Sequence, residues 1–302
     1  MRNREFIISY DTGHFGDGDL IRTKKKQLLY IRTLNNSLSV LPSIEEDLEK
    51  LVRLKHKYIA RMKEFKVKEL NADKPLLVMT INEGFDQRLS SHLKSLDGVQ
   101  PTRQYVNWAY QAGKGVSYLL VCGIYHKMLS AQTCLLDSHG NIKLCDFWTS
   151  TDFISNSEIW RSLPPETLLE NVFTLESLIW TFAHLIWQIF THCKLVYRSK
   201  FKELSEFVSI GYKDDEFYLP GSVNINKLKY QNQSLYYPMI DFNKLCAQFP
   251  HAPKSFNRFV RKCLSSEAHA RPTWAKTLTM LSKEHRIFKL MIVVDIFNFS
   301  KS

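Results

Sequence analysis

Short apolar runs alternate with Gly and Asp between residues 5 and 34, as in Phe6-Ile-Ile-Ser-Tyr and Leu28-Leu-Tyr-Ile-Arg-Thr-Leu. That pattern predicts strands joined by tight turns. The period changes after Ser43, where Ile44, Leu48, Leu51, Val52 and Leu54 fall at helical spacing behind a Ser and three acidic residues. One amphipathic helix is predicted over 44–57. Leu76-Leu-Val-Met-Thr-Ile predicts a further buried strand, and Asn82-Glu-Gly a hinge after it. From Phe85 onward helical patterns dominate. Tyr105 to Val121 is one, and Leu175 to Thr191 is apolar enough to be buried on most sides. Between them, two apolar runs around a Gly-containing turn over 135–145 predict a hairpin. The order is therefore sheet, helix, sheet, then mostly helices. The polar stretch 212–249, rich in Asn and Tyr, reads as a surface insertion between helices.

A chain of 302 residues suits one two-lobed domain or two modest ones. Hydrophobic residues at 44% and charged residues at 24% give a globular profile. The net charge of +11 favours acidic surfaces, including phosphoinositide membranes, nucleic acid and acidic proteins. Only Lys24 to Lys26 form a tight run, read as a solvated turn rather than a dedicated patch, so charge alone assigns no partner. The six cysteines are scattered, without CxxC spacing, and are expected to be reduced thiols. The first residues lack the apolar run of a signal peptide, and no stretch approaches about 18 consecutive apolar residues. Leu290 to Phe299 is interrupted by Asp295 and is read as a tail packed on the body. The expectation is an intracellular, cytoplasmic protein with no transmembrane segment.

Chemistry enters with Gly123-Ile-Tyr-His-Lys-Met-Leu-Ser-Ala-Gln-Thr-Cys-Leu-Leu, followed after the hairpin by Cys145-Asp-Phe-Trp. These segments resemble the catalytic loop and metal-binding motif of protein kinases, in the right spacing. Gly13-His-Phe-Gly16 resembles the Gly-rich turn, Leu29 to Arg32 the lysine-bearing third strand, and Pro164-Pro-Glu166 the A-P-E segment. Val172 to Phe182 and Ala270-Arg-Pro-Thr-Trp resemble the C-terminal lobe, so the likeness covers nearly the whole chain. Leu129-Ser-Ala-Gln-Thr and Leu185-Ile-Trp-Gln-Ile-Phe-Thr are similar to the tyrosine-kinase branch. The resemblance implies an α+β, bilobal kinase-like fold. Residues 1–82 would form the N-terminal lobe and 83–302 the C-terminal lobe, with the insertion at 212–249.

Phosphoryl transfer needs a held nucleotide, magnesium ligands and a group that takes the hydroxyl proton. Met128 occupies the place of the catalytic Asp, and a thioether cannot act as a base. Thr133 stands for the metal-binding Asn and Trp148 for the Gly after Phe147. Asp146 alone survives among the metal ligands, either as a ligand or as a structural hydrogen-bonding residue. Arg32 takes the place of the phosphate-binding Lys, with Asp47, or Glu46, as the helix acid that would pair with it. Tyr30 replaces the small residue against the adenine, which Thr80 and Asn82 would also line. Asp11 takes the first glycine position, Gly18 the base-capping one, and Asp17 and Asp19 add charge near the phosphates. Gly13 and Gly16 then read as a hairpin turn more readily than a phosphate cradle. Leu178 replaces a buried Asp that organises the catalytic loop. The loop from Thr149 to Leu163 is short and contains no tyrosine.

The scaffold is kept: Glu166 and Arg271 resemble the buried ion pair of the C-terminal lobe, and His126 and Phe147, with Leu51, the spine joining the lobes. The resemblance thus implies a pseudokinase, a signalling scaffold or allosteric module that requires no cofactor. Its expected partners are signalling proteins, including an active kinase or a phosphorylation substrate. The alternative is a weak or atypical tyrosine kinase binding ATP and Mg through Arg32 and Asp146. Nucleic acid is not an expected partner, because no clustered basic face with aromatic platforms is evident.

Overall fold

A computed structural model describes residues 4–10, 18–23, 28–33, 44–68, 77–97, 101–147, 163–164, 166–167, 172–193, 254–265 and 267–299. Asp11, Gly13, Gly16, Asp17, Trp148, nearly all of the loop from Thr149 to Leu163, and the expected insertion at 212–249 lie outside these residues.

Strands β1 (Arg4–Tyr10), β2 (Gly18–Thr23), β3 (Leu28–Thr33), β4 (Met62–Lys68) and β5 (Leu77–Glu83) form one antiparallel sheet in the order β1-β2-β3-β5-β4. Side-chain alternation assigns its two faces. Leu20 and Tyr30 are cross-strand partners and bury with Phe85, Leu135 and Cys145. The next pair, Ile21 and Leu29, buries with Ile81 on the opposite face. The sequence reading did not include β4. Its alternation of apolar residues with Lys and Glu suits a sheet edge, where charge discourages further pairing, and this weakens the strand signal.

Helix α1 (Ile44–Arg53) opens with Glu45, Glu46 and Asp47 and closes with Lys50 and Arg53, complementing its dipole. It ends four residues short of the expected Lys57. The Lys55 N–H donates to Tyr118 Oη at 2.9 Å and that of Tyr58 to His56 Nδ1 at 3.2 Å, which diverts the backbone donors a longer helix would use. The hinge also moves. Asn82 and Glu83 are paired within β5, and the chain leaves the strand at Gly84. A Cβ there would lie 2.3 Å from Leu28 Cβ and 2.5 Å from Leu28 C, so glycine permits the close approach.

The second lobe begins with β6 (Gln87–Arg88) and α2 (Leu89–Ser95), then α3 (Thr102–Val121). A 3₁₀ turn at Ala131–Thr133 leads into β7 (Cys134–Leu136) and β8 (Ile142–Leu144), which pair with β6 as the expected hairpin. Helices α4 (Leu175–Phe190), α5 (Lys254–Cys263) and α6 (Trp274–Phe299) follow. Thr174 caps α4 with a reciprocal Ser177 bond, and twelve of the sixteen residues of that helix are buried, as its apolar run predicts. Leu290 to Phe299 continues α6, with side chains outside the described residues.

One apolar core joins Leu48 and Leu51 of α1 to Met128, Phe147, Leu178 and Trp187. The lobes are further tied by Ala60 N to Leu144 O at 2.8 Å and Leu144 N to Tyr58 O at 2.9 Å. The arrangement is the expected bilobal α+β fold. Among the described residues no helix is long and apolar enough to cross a membrane. The five cysteines described are free thiols.

Candidate functional site

The loop from Ile124 to Thr133 lies between α3 and β7. His126 is fully buried, with its ring edge-on to Phe147 at 5.7 Å. Burial pushes its pKa down to about 4, against smaller opposing pulls from the Asp146 carboxylate and the Cys145 backbone. Among the described residues neither ring nitrogen meets hydrogen-bond geometry with a protein group, so the neutral ring is favoured and its role here is packing. Met128 is 7% exposed and shares the main apolar cluster with fully buried Leu178. The Thr133 hydroxyl has one hydrogen to donate, with Met128 O at 2.8 Å the nearer acceptor and Ser130 O at 3.1 Å the other, and it accepts from Ser130 N at 2.9 Å. It is committed to the loop's own backbone. Neither side chain offers a proton acceptor or a metal ligand to the cleft.

The cleft between the lobes is lined by Tyr30, Leu51, Thr80, Asn82, Asp146 and Phe147, among others, around a cavity of about 40 Å³. Pockets that take small-molecule ligands are typically about 300–1,000 Å³. The Tyr30 ring, 3% exposed, sits edge-on to Phe85 at 5.2 Å and projects into the expected adenine space. Asn82 Nδ2 donates to Thr80 Oγ1 at 3.1 Å and to Tyr30 O at 3.3 Å, tying these three residues together. Asp146 is held at φ 61°, a left-handed conformation that an Asp tolerates better than most residues.

Arg88 contacts two of the residues that line this cavity, Tyr30 and Asp146. Its Nη1 donates to Gln132 O at 2.7 Å and lies 3.8 Å from Asp146 Oδ2. Its Nη2 donates to Tyr30 Oη at 3.4 Å, and the guanidinium lies 5.9 Å from the Phe85 ring centre. Both ions are largely buried, with side chains 13% and 8% exposed. Asp146 is the sole carboxylate among the described cavity-lining residues, and it faces a fixed cation. Magnesium takes near-octahedral oxygen ligation. With Thr133 turned into its loop and Asp146 beside Arg88, the residues described here do not fit that ion.

Of the two candidate helix acids, Asp47 is buried, with Lys50 Nζ at 3.6 Å, whereas Glu46 is exposed. Arg32 pairs across the sheet with Gly18 and Thr80, but its side chain lies outside the described residues.

The clamp of the second lobe is complete. Arg271 Nη1 lies 2.6 Å from Glu166 Oε1 and its Nη2 2.9 Å from Oε2. The guanidinium also donates to Ser265 O and Glu176 O and lies over Trp180 at 5.0 Å. Burial raises the Glu166 pKa, but the hydrogen bonds from Arg271 and Ser177 outweigh it and hold the carboxyl below its ordinary value.

The structure thus brings Tyr30, Thr80, Asn82, Asp146 and Phe147 together around the cleft and leaves Met128 and Thr133 facing away from it. Sequence reading missed Arg88 and Gln132. Arg88 reads locally as one charged residue at the start of a short amphipathic helix, and nothing in its spacing announces a contact 58 residues away with Asp146.

Comparison with known proteins agrees with the bilobal fold. The chain is 27% identical over 191 residues to the discoidin domain-containing receptor tyrosine kinase B of Caenorhabditis elegans, covering 60% of this chain and 23% of that protein. It is 22% identical over 290 residues to the human tyrosine-protein kinase TXK, covering 92% and 47%. It is 25% identical over 228 residues to the NT-3 growth factor receptor of Mus musculus, covering 64% and 27%. The chain therefore spans about a quarter to a half of the length of these relatives. The sequence profile described as protein tyrosine and serine/threonine kinase matches residues 11–281, and the chain belongs to that family.

Proposed function

We propose that this domain is a pseudokinase, dividing near residues 82–83 into its two lobes, that serves as a scaffold or allosteric module for other signalling proteins. An active kinase or a phosphorylation substrate in the cytoplasm is the kind of partner such a module engages. The observation that carries the reading is Arg88, whose guanidinium faces Asp146, the sole carboxylate among the described residues lining the cavity of about 40 Å³ between the lobes. Met128 supports it. A buried sulfur removes general-base assistance, ordinarily on the order of 10²–10⁴ in rate.

A second reading, an ATP-dependent tyrosine kinase of unusual mechanism, is favoured by the names of the relatives. Thermal unfolding of the purified chain with ATP, with and without magnesium, separates the two. A ligand that binds only the folded state adds about 2.7 kcal/mol at one hundred times its Kd. The pseudokinase reading predicts no magnesium-dependent rise at millimolar nucleotide. A rise of several degrees in the wild-type protein, lost in Asp146→Asn, would favour the kinase reading instead.

A further inference from the structure

On the face away from the nucleotide cleft, α3, the segment after α1, the β7–β8 turn and α6 enclose a second cavity of about 540 Å³. Lys57, Arg103 and Arg286 stand around it, all exposed, and no Asp or Glu is among its described lining residues. One wall is the Tyr110 ring stacked on His285, with centres 4.1 Å apart and planes 8° from parallel. His285 Nε2 is fixed by Asn107 Oδ1 at 3.2 Å. Asp137, in the neighbouring turn, turns one carboxylate oxygen inward to the N–H groups of His139 and Asn141, at 3.0 and 2.9 Å. Burial first, and then the nearby charges of Lys114 and Lys143, lower the pKa of His56 beside Lys57.

We propose that this cavity is a binding site for a compact polyphosphate, a small molecule carrying two or more phosphate groups. Three cations with no carboxylate among them attract an anion of high charge. Two are guanidinium groups, whose planar forks match phosphate oxygens. The volume is that of a single small-molecule site, far larger than one phosphate needs. The site is independent of the nucleotide cleft and of any catalytic activity.

The test uses the full chain and inositol hexakisphosphate as probe, titrated calorimetrically at about 150 mM salt so that long-range attraction is screened. The Arg103→Ala/Arg286→Ala double variant is compared with Lys94→Ala/Lys276→Ala, which removes the same charge from exposed positions elsewhere. Thermal unfolding of each variant verifies folding. The site predicts at least about a tenfold weaker Kd for the cavity variant and less than about a twofold change for the control. Equal loss in both variants, or no wild-type binding at millimolar probe, would overturn it. Vesicles carrying phosphatidylinositol bisphosphate, set against phosphatidylserine vesicles of equal charge, identify the source. Binding of the free probe alone indicates a soluble ligand. Additional binding to the inositide vesicles, lost in the cavity variant, indicates a lipid headgroup. Equal attraction of wild type and cavity variant to both vesicle types, without probe binding, would contradict the site.

Discussion

Removing Glu166 should be among the most damaging single changes this fold can suffer. Its partner Arg271 has a fully buried side chain, and two of the guanidinium's protein contacts end on the Glu166 carboxylate. Glu166→Gln keeps the shape but leaves a buried cation without its counter-charge, a loss of about 3–5 kcal/mol. Bonds to Ser265 O and Glu176 O and the Trp180 face remain, which places the expected value toward the lower end of that range. Ser177→Ala, which deletes one hydrogen bond to the same carboxylate, should cost about 1 kcal/mol. The pair can also be removed together. Glu166→Leu/Arg271→Met should be less destabilised than the sum of its single changes, since neither charge is then stranded. Urea unfolding followed by tryptophan fluorescence measures Glu166→Gln, Ser177→Ala, the double variant and its two single changes, five variants in all. A loss under 1 kcal/mol for Glu166→Gln, or a double variant worse than additive, would refute the reasoning.

Acid should unfold the protein early. His126 and His184 have pKa values of about 4 in the fold against 6.5 for free histidine, so between those values the unfolded chain binds protons that the fold does not. Stability is then lost as pH falls from about 6.5 towards 4, by about 3 kcal/mol per histidine, and His184→Leu should flatten the pH dependence of the urea midpoint; an unchanged slope contradicts this. Gly84→Ala should cost about 1–3 kcal/mol or shift β3, because its Cβ meets the Leu28 backbone, whereas Gly140→Ala, with open space but φ 72°, should cost about 1–2 kcal/mol through strain alone. An unchanged melting temperature in Gly84→Ala would contradict the close approach at Leu28. Met128→Asp should restore no phosphoryl transfer and should destabilise the chain by about 2 kcal/mol or more, since the new carboxylate enters an apolar cluster. Gain of transfer by that one change would show that the rest of the site is competent.

Local pattern carried most of the fold. The periodicity of α3 and α4, the Gly turn before β8 and the alternation in β2 and β3 each depend on neighbours in sequence, and each was legible. β4 and the early end of α1 were not. The first is an edge strand whose charge serves solubility, and the second is set by the Tyr118 hydroxyl, 63 residues away from Lys55. The candidate site divides along the same line. Motif order pointed to Met128, Thr133, Asp146 and Glu166, which sit at fixed offsets from His126, Phe147 and Pro164, and to Arg271 within its own Ala270-Arg-Pro-Thr-Trp segment. Arg88 reaches Gln132, Tyr30 and Asp146 only through tertiary folding, and the inward turn of the Thr133 hydroxyl depends on the loop's geometry rather than on residue type.

The claim that phosphoryl transfer has been lost is tested most directly by incubating the purified chain with γ-labelled ATP, magnesium and a tyrosine-containing polymer. The account predicts no labelling of polymer or protein above that of an Asp146→Asn control. Turnover near the roughly 1–100 per second of ordinary kinases, abolished in that control, would contradict it.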